Sequence, residues 1–465
     1  MIPRAALFLA LVGLVAGCAL TRLEPGDEAA TSTTTAKRAT RPAPKRVKVY
    51  VVAVDGDTGK RVKTAVARIG RLKDRANHKG LSTLRVRRLA PLPVRVEAPG
   101  YLARTVRVPF QRHRQNTVRV YRKALQWPMY GVTPQRTQAQ TRIRVRPPFR
   151  VVWSRGIGSL VEFPAVVSEG VAYVSNQRGY VSAIEMRRGK VVWRRRTDAV
   201  MAASPTVDGD RIIVHGMRGN VWVLDRRSGR VLWRKYIGSP IESSPIVRND
   251  VDYFGAWNGV VYALDLKRRK VRWTHRAGFK ITSSAAIAGN RLYIGDYGGY
   301  VRSISLGNGR LSWARSVGGR IYGTPALASG RVFVPSSTGG SVTAFSTRGR
   351  YLWRVRTGSY VYSSPAAWGG RVFFGSYNGR LYAVNARSGG MLWSVGAGGP
   401  VSGAAVVVDK VAYAGSTHGS MVGADARNGR VLFRFPHGEY VPVSGNGSRL
   451  LLHGYSRLYA VAARR

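Results

Sequence analysis

The run Asp225-Arg226-Arg227-Ser228-Gly229-Arg230-Val231-Leu232-Trp233, preceded by Val221-Trp222-Val223-Leu224, belongs to a pattern that recurs every forty residues. The last position of the pattern is aromatic in every repeat: Trp153, Trp193, Trp233, Trp273, Trp313, Trp353, Trp393 and Phe433. A glycine stands fourteen residues before this position from Gly179 to Gly419, and most repeats have another four residues before it. A fixed period of this length is typical of propellers and solenoids.

Each unit reads as four short apolar strands separated by turns, as in the stretch from Ser243 to Trp273. One small sheet cannot bury both of its faces, so we expect the sheets to stack radially, with the aromatic residue filling each seam. Seven units are complete, and the chain then ends with three strands, between Tyr440 and Val461. The missing fourth strand stands at Phe149 to Trp153, which predicts an all-β, eight-bladed β-propeller over residues 149–465, closed by its two ends.

The repeat around Trp233 resembles the pyrroloquinoline-quinone (PQQ) repeat, and Trp127-Pro128-Met129-Tyr130-Gly131 with Gln135-Arg136-Thr137 resembles the lead-in of such propellers. The resemblance covers residues 127–465 and implies the fold. Its members range from quinone-dependent dehydrogenases to a lipoprotein of the outer-membrane β-barrel assembly machine, so it does not select a function. We interpret residues 124–148 as a linker.

Residues 46–123 alternate apolar and polar side chains, as in Val47-Lys48-Val49-Tyr50-Val51, which indicates strands. With their glycine-containing turns they resemble the carboxypeptidase regulatory-like domain, a small β-sandwich. The segment is strongly basic, and two interpretations explain this charge equally well. The basic residues either attract anionic headgroups or wall polymers, or they simply form a solvated surface.

The N-terminal sequence resembles a targeting signal. Met1 to Arg4 is followed by an apolar run too short to span a bilayer, and Leu14-Val15-Ala16-Gly17-Cys18 resembles a bacterial lipobox. We therefore expect a signal peptide over residues 1–18, lipidation of Cys18, and a disordered tether over residues 19–45. The expected location is the cell envelope, on the outer face of the plasma membrane or the periplasmic side of an outer membrane.

An enzymatic reading would require PQQ with calcium, as the resemblance to quinoprotein dehydrogenases implies. It is disfavoured because the chain has one cysteine, whereas those enzymes commonly carry an adjacent cysteine pair, and because it lacks their long insertions. Glu162, Glu242 and Asp296 fall in rim loops where they could line the channel mouth. Nothing in their spacing predicts convergence on a metal ion, so we predict no catalytic or metal site and no cofactor.

The two ends of the repeat differ in chemistry. Basic residues follow one set of turns and predict a basic face: Arg150, Lys190, Arg230, Lys270, Arg310, Arg350 and Arg430, with Arg211, Arg291, Arg331 and Arg371 entering from the same side. Aromatic residues predict a rim on the opposite side: Trp257, Tyr297, Tyr322, Tyr360, Tyr362, Tyr377 and Tyr455. Such rings are enriched at protein interfaces, although seam packing also uses them.

With 76 Lys and Arg against 22 Asp and Glu, the chain should attract anionic partners. We predict a monomeric, non-enzymatic, lipid-anchored scaffold whose aromatic rim binds envelope proteins or peptides, while its basic face meets anionic lipid or cell-wall polymer. Nucleic acid is disfavoured because no module for it appears and the chain carries an export signal. The alternatives are an outer-membrane protein assembly factor, a PQQ-dependent dehydrogenase, and a regulator of wall metabolism.

Overall fold

The computed structural model describes residues 46–87, 91–108, 114–440 and 442–464. The predicted signal peptide, Cys18 and the tether of residues 19–45 lie outside the described residues. Arg46–Arg465 form one compact unit. Within its described residues, no helix has both the length and the apolar character needed to cross a bilayer.

The N-terminal part of this unit is a sandwich of two sheets. Its strands are β1 (Val47–Asp55), β2 (Val66–Ile69), β3 (Leu72–Arg75), β4 (Leu81–Val86), β5 (Leu92–Glu97), β6 (Arg104–Val108) and β7 (Gln115–Val120). One sheet has the order β4-β1-β7 and the other β3-β2-β5-β6. Alternate residues such as Val49, Val51, Leu84, Val94 and Val96 point inward and form one shared apolar core.

The chain then passes through a 3-10 turn, Lys123–Leu125, a short strand β8 (Ala139–Gln140) and a longer strand β9 (Phe149–Gly156). The first four blades follow in order. Their strands are β10 (Val166–Ser168), β11 (Val171–Ser175), β12 (Tyr180–Glu185), β13 (Val191–Arg196); β14 (Thr206–Asp208), β15 (Arg211–His215), β16 (Asn220–Asp225), β17 (Val231–Tyr236); β18 (Ile246–Arg248), β19 (Val251–Gly255), β20 (Val260–Asp265), β21 (Lys270–Arg276); and β22 (Ala286–Ala288), β23 (Arg291–Gly295), β24 (Tyr300–Ser305), β25 (Leu311–Ser316).

Blades five to seven repeat the same plan, and the last three strands begin an eighth. These strands are β26 (Ala326–Ala328), β27 (Arg331–Ser336), β28 (Ser341–Ser346), β29 (Tyr351–Arg356); β30 (Ala366–Trp368), β31 (Arg371–Gly375), β32 (Arg380–Asn385), β33 (Met391–Gly396); β34 (Val406–Val408), β35 (Val411–Gly415), β36 (Met421–Asp425), β37 (Val431–Phe435); and β38 (Val443–Gly445), β39 (Leu450–His453), β40 (Arg457–Ala463).

The ring closes as the sequence predicts. Strand β9 pairs antiparallel with β40, from Phe149 opposite Ala463 to Gly156 opposite Arg457, and completes the eighth sheet, β38-β39-β40-β9. The innermost strand of this blade, β38, contacts the innermost strand of the first, β10. The eight-bladed all-β propeller is therefore confirmed.

In six of the eight seams, the fourth-strand tryptophan of one blade packs against a glycine in the next. Trp193 of blade one packs so closely on blade two that a Cβ on Gly229 would lie 2.5 Å from its ring. The indole N–H of Trp193 donates to the carbonyl oxygen of Arg226 at 3.0 Å. Equivalent indole bonds are made by Trp153, Trp273, Trp313 and Trp353. In these seams, the glycine four residues before the aromatic position makes room for the tryptophan of the preceding blade.

The seam at Trp233 departs from this pattern. The position equivalent to Gly229 is occupied by Arg269, a non-glycine residue at φ 57°, and its guanidinium lies 5.9 Å from the Trp233 ring centroid. On the neighbouring strand Trp233 faces Val223, where most other blades place alanine, serine or glycine. Trp233 is partly exposed, and within the described residues its indole makes no hydrogen bond to the adjacent turn.

Residues 124–148, which we predicted to be a linker, are instead built into the propeller. Strand β8 runs parallel to β34 and adds a fifth strand to the seventh blade. Backbone groups between Trp127 and Gln138 hydrogen-bond to Val167, Val207, Ile287, Leu327, Ala367 and Val407, on the innermost strands of blades one, two, four, five, six and seven. We call residues 127–145 the plug, because they fill the propeller axis.

The plug carries a buried arginine that replaces missing contacts with blade three. Arg136 is 0% exposed, and its guanidinium donates to the carbonyl oxygens of Ser244 (3.2 Å), Pro245 (3.0 Å), Ala285 (2.9 Å) and Tyr130. Burial lowers the pKa of Arg136 to about 10. Since the inner strands are short and leave exposed carbonyls at the axis, a forked donor of this kind satisfies several at once.

The antiparallel order gives the propeller two distinct faces. One carries the turns between the first and second and between the third and fourth strands of each blade, and we call it the basic face. The other carries the loops between the second and third strands and between blades, and we call it the pocket face. The sandwich packs on the basic face: Arg104 pairs with Glu169 at 3.4 Å, and Arg227 donates to the carbonyl oxygen of Thr105 at 3.3 Å.

Candidate functional site

A cavity of about 200 Å³ lies on the axis of the pocket face, above the plug. Corresponding loop positions in successive blades supply its walls. The lining residues are Tyr130, Glu162, Phe163, Glu242, Thr282, Ser284, Tyr322, Gly323, Thr324, Tyr362, Ser364, Ser402, Gly403, Ala404 and Tyr440. We call this cavity the axial pocket.

A belt of hydroxyl groups holds the loops around the axial pocket. The backbone N–H of each blade donates to the hydroxyl at the equivalent position of the next: Ser204 to Ser244 (3.1 Å), Ser244 to Ser284 (2.9 Å), Ser284 to Thr324 (3.1 Å) and Thr324 to Ser364 (2.8 Å). The Tyr130 hydroxyl of the plug donates to Ser364 at 3.0 Å. The floor of the pocket is therefore fixed to the ring, which preorganises the site.

Two partly buried carboxylates face this pocket. Glu242 accepts the indole N–H of Trp257 at 3.0 Å, and Glu162 accepts a longer bond of 3.4 Å from the Gln177 amide. Burial raises the pKa of Glu162, and burial together with the charge of Glu162 raises the pKa of Glu242 to about 7. Both groups thus lie in surroundings that disfavour the charged form.

The predicted aromatic rim forms a continuous surface beside the pocket. The ring of Tyr322 lies 4.4 Å from that of Tyr297 and 4.9 Å from that of Tyr362, and Tyr362 lies 4.8 Å from Tyr377. Tyr360 extends the surface outward and is 49% exposed. These tilted and edge-to-face arrangements are those that aromatic rings favour.

The remaining predicted rim residues lie at the two sides of this surface. Trp257 adjoins it through Lys280, whose ammonium lies 3.2 Å from the Trp257 ring centroid and 5.0 Å from that of Tyr297. Tyr455 belongs to the pocket-face loop of blade eight and is 55% exposed. Hence the structure brings most of the predicted rim into one patch across blades three to six.

Asp296 is not at the channel mouth. It lies in the loop between the second and third strands of blade four, is 1% exposed, and forms an ion pair with Arg302. Of the three acids considered as mouth residues, only Glu162 and Glu242 line the axial pocket. In the described part of the chain no three His, Cys, Asp or Glu side chains gather around a possible metal site.

The predicted basic residues lie at the outer edge of the basic face. The seven side chains from Arg150 to Arg430 are all exposed, each at or beside the start of a fourth strand. Arg211, one of the four arginines expected to enter from the same side, forms ion pairs with Asp208 and, at 2.7 Å, with Asp250. The ring therefore runs around the face on which the sandwich sits.

Sequence reasoning missed the residues that complete the pocket from outside the repeat. Tyr130 comes from the plug, and Tyr440 comes from the incomplete eighth blade. The signal that could have revealed the plug is the spacing of Trp127, Tyr130, Ile143 and Val145, all buried, in a stretch interpreted as a linker. An eight-bladed ring also leaves an axis that must be filled.

A sequence-family model described as the beta-propeller of the beta-alanine-activating enzyme matches residues 162–435. The chain belongs to this β-propeller family. The match covers the first seven blades of this chain, β10 to β37, and leaves out the sandwich, the plug and the eighth blade. No curated protein matches the chain significantly in sequence.

Solved structures share the fold of this family propeller. BamB from Moraxella catarrhalis superimposes with a TM-score of 0.58 at 17% identity, over 68% of this chain and 98% of that chain. Quinohemoprotein alcohol dehydrogenase from Comamonas testosteroni gives 0.63 at 14% identity, over 72% and 80%. A europium-containing methanol dehydrogenase gives 0.62 at 13% identity, over 73% and 98%. At such identities the likeness shows the fold alone.

Proposed function

We propose that the chain is a non-enzymatic scaffold of the cell envelope, lipid-anchored through Cys18, whose pocket face binds a protein or peptide partner. The observation that carries the proposal is the continuous aromatic surface from Tyr297 to Tyr360, which lies on the face opposite the sandwich. Large, rigid aromatic rings with a polar tip dominate the binding energy of protein interfaces. The hydroxyl belt and plug keep this surface rigid, so little entropy is lost on binding.

The basic face would meet an anionic surface in this arrangement. Its ring of exposed arginines and lysines lies on the same side as the basic sandwich, which directly follows the tether. Each basic residue close to an anionic membrane contributes about 1 kcal/mol of attraction. The lipid and the basic ring would therefore act together, since electrostatic attraction to anionic headgroups adds to the affinity of a lipid anchor.

Photo-crosslinking in intact cells tests the pocket-face assignment. A photoreactive residue at Tyr360, which is 49% exposed, should give a distinct protein adduct. The same residue at Tyr351, which is 55% exposed near the basic-face edge of blade five, serves as the matched control and should not give that adduct. Identical adducts at both positions, or none at Tyr360, would contradict the proposal.

Charge reversal tests the basic face separately. Changing Arg230, Arg310 and Arg350 to glutamate should weaken binding to liposomes containing anionic lipid, and the wild-type binding should fall as salt is raised. Binding that is insensitive to both changes would refute the assignment of this face to an anionic surface.

A role as an outer-membrane protein assembly factor is the second candidate, favoured by the fold shared with BamB over 98% of that chain. It differs from the first in requiring an outer membrane and β-barrel clients. Depletion of the protein should then lower the amounts of folded outer-membrane barrels while leaving other envelope proteins unchanged. Unchanged barrel levels would exclude this role.

A PQQ-dependent dehydrogenase is the third candidate, and the axial pocket does not fit its cofactors. The charged groups that line the pocket are two carboxylates, which would repel a cofactor that carries carboxylates of its own. The two glutamates alone also offer too few oxygens for the six to eight ligands that calcium takes. Alcohol-dependent dye reduction after adding PQQ and calcium would overturn this conclusion.

A further inference from the structure

Most acidic groups in the described residues form ion pairs, whereas the two carboxylates of the axial pocket do not. Basic residues outnumber acidic ones by 76 to 22, and typical partners lie close, such as Asp265 with Arg272 at 2.7 Å and Asp425 with Arg146 at 2.9 Å. Within the described residues, neither Glu162 nor Glu242 forms an ion pair. Two acidic groups thus remain without an ion-pair partner in a protein with a large surplus of arginine.

The bonding pattern leaves part of each carboxylate free to meet a ligand. Gln177 and Trp257 both donate to the Oε2 atom of their glutamate, and the described structure gives no bond to either Oε1. Thr282, which is 4% exposed, lines the same pocket, and its hydroxyl makes no hydrogen bond of normal geometry although Tyr297 lies nearby. The two Oε1 atoms and the buried Thr282 hydroxyl are therefore available to a hydrogen-bond donor in the cavity.

Aromatic rings form much of the remaining wall. Tyr130, Phe163, Tyr322, Tyr362 and Tyr440 line the cavity, and their π faces attract cations. The same surface already holds one cation of the chain itself, because Lys280 lies 3.2 Å from the centroid of the Trp257 ring. Aromatic faces combined with unpaired carboxylates are the features that recognise organic cations.

The charged groups around the pocket do not neutralise it. Lys280 is close enough to lower the pKa of Glu242, yet burial dominates and keeps that pKa raised. Arg136 lies beneath Tyr130, 5.5 Å from its ring centroid, and its guanidinium is bonded to backbone carbonyls. A cation bound between the two glutamates would relieve the repulsion between them.

We propose that the axial pocket binds an organic cation, an ammonium or guanidinium group on a short alkyl chain, between Glu162 and Glu242. The volume of about 200 Å³ suits one such group rather than a large cofactor. The inference deepens the proposed function and rests on it for the choice of face, since the cation would be a lysine or arginine side chain of the partner. A free alkylamine presents the same chemistry.

The test measures binding of three probes to the full-length protein by calorimetry. N-acetyl-lysine methylamide should bind at least tenfold more tightly than N-acetyl-norleucine methylamide, which has the same stem without the charge. Butylammonium distinguishes a free alkylamine from a peptide side chain as the natural ligand. If it binds as tightly as the lysine derivative, the pocket is a free-amine site; if it binds much more weakly, the pocket is a peptide side-chain site. Both results support a cation pocket. Equal binding of the lysine and norleucine derivatives, or no binding of any probe, would overturn the proposal.

Variants identify the residues responsible. Glu162→Gln/Glu242→Gln keeps the shape of the pocket and one acceptor oxygen at each position, and it should weaken binding of the lysine derivative at least tenfold. The control Glu97→Gln/Glu185→Gln makes the same change in net charge at glutamates that pair with Arg95 and Arg187, far from the pocket, and should bind as the wild type does. Equal losses in both variants would overturn the proposal. Because small probes are used, the outcome is independent of whether crosslinking finds a protein partner.

Discussion

Substitution of a seam glycine tests the packing between blades. In Gly229→Ala the new Cβ would lie 2.5 Å from atom Cε3 of Trp193, at a residue with φ +68°. The indole, 9% exposed, would have to move and would lose its bond to the Arg226 carbonyl. The matched control is Gly209→Ala in the same blade, where φ is +58° and nothing lies within 4 Å of the new Cβ.

Both variants place an alanine in a left-handed backbone conformation, but only Gly229→Ala disturbs the seam. A left-handed alanine costs about 1–2 kcal/mol in either variant. Gly229→Ala adds about 0.5–1.5 kcal/mol for the lost hydrogen bond and roughly 1–2 kcal/mol for disturbed packing of the indole. The expected loss in the free energy of unfolding is therefore about 3–5 kcal/mol for Gly229→Ala and about 1–2 kcal/mol for Gly209→Ala.

Urea-induced unfolding, followed by tryptophan fluorescence and by far-ultraviolet circular dichroism, measures both values. Coincident transitions by the two probes are required before the free energies are compared. Losses that agree within about 0.5 kcal/mol would refute the reasoning, because the seam would then tolerate the added methyl group.

Three further predictions use the same assay. Arg269→Gly should raise the free energy of unfolding by about 1 kcal/mol, because it removes a non-glycine residue from a left-handed conformation; a lower value would show that Arg269 stabilises its seam. Arg136→Met should lower it by about 3 kcal/mol, since buried carbonyls lose their donor, whereas Arg320→Met at the exposed rim should leave the unfolding midpoint unchanged; equal effects would contradict the role of the plug. Burial lowers the pKa of His453 to about 4 from 6.5, so the unfolded chain binds more protons between these values and the wild type should lose about 3 kcal/mol as pH falls through them. His453→Gln should lack this part of the loss, and parallel pH profiles for wild type and variant would exclude the assignment.

The forty-residue period explains why so much of the fold could be predicted. A single tryptophan such as Trp193 or Trp353 does not indicate a fold. The equal spacing does, because a period of forty residues matches a blade of four short strands. Counting then placed Phe149 to Trp153 in the last blade. The plug could not be found this way, because it occurs once and so has no period. The buried position of Arg136 could not be predicted either, because in the sequence it does not differ from the other arginines of a basic chain.

The candidate site was predictable only where it follows the repeat. Glu162 and Glu242 stand at equivalent positions, so their shared location on one face follows from the spacing. Asp296 was assigned to the mouth because its loop lies on the same face, but that loop is farther from the axis and Arg302 covers it. Pairing of this kind depends on side-chain directions that sequence spacing does not specify.

The plug also explains why the two faces of the propeller differ in structure. After leaving the sandwich, the chain hydrogen-bonds to the inner strands of six blades before it enters the outermost strand of the eighth. The sandwich is therefore held on the basic face by backbone bonds at the axis as well as by contacts such as Arg104 with Glu169. Because the plug fills the axis beneath Tyr130, the axial pocket opens toward the pocket face. Glu162, Glu242 and the tyrosines beside them thus lie on the face opposite the sandwich.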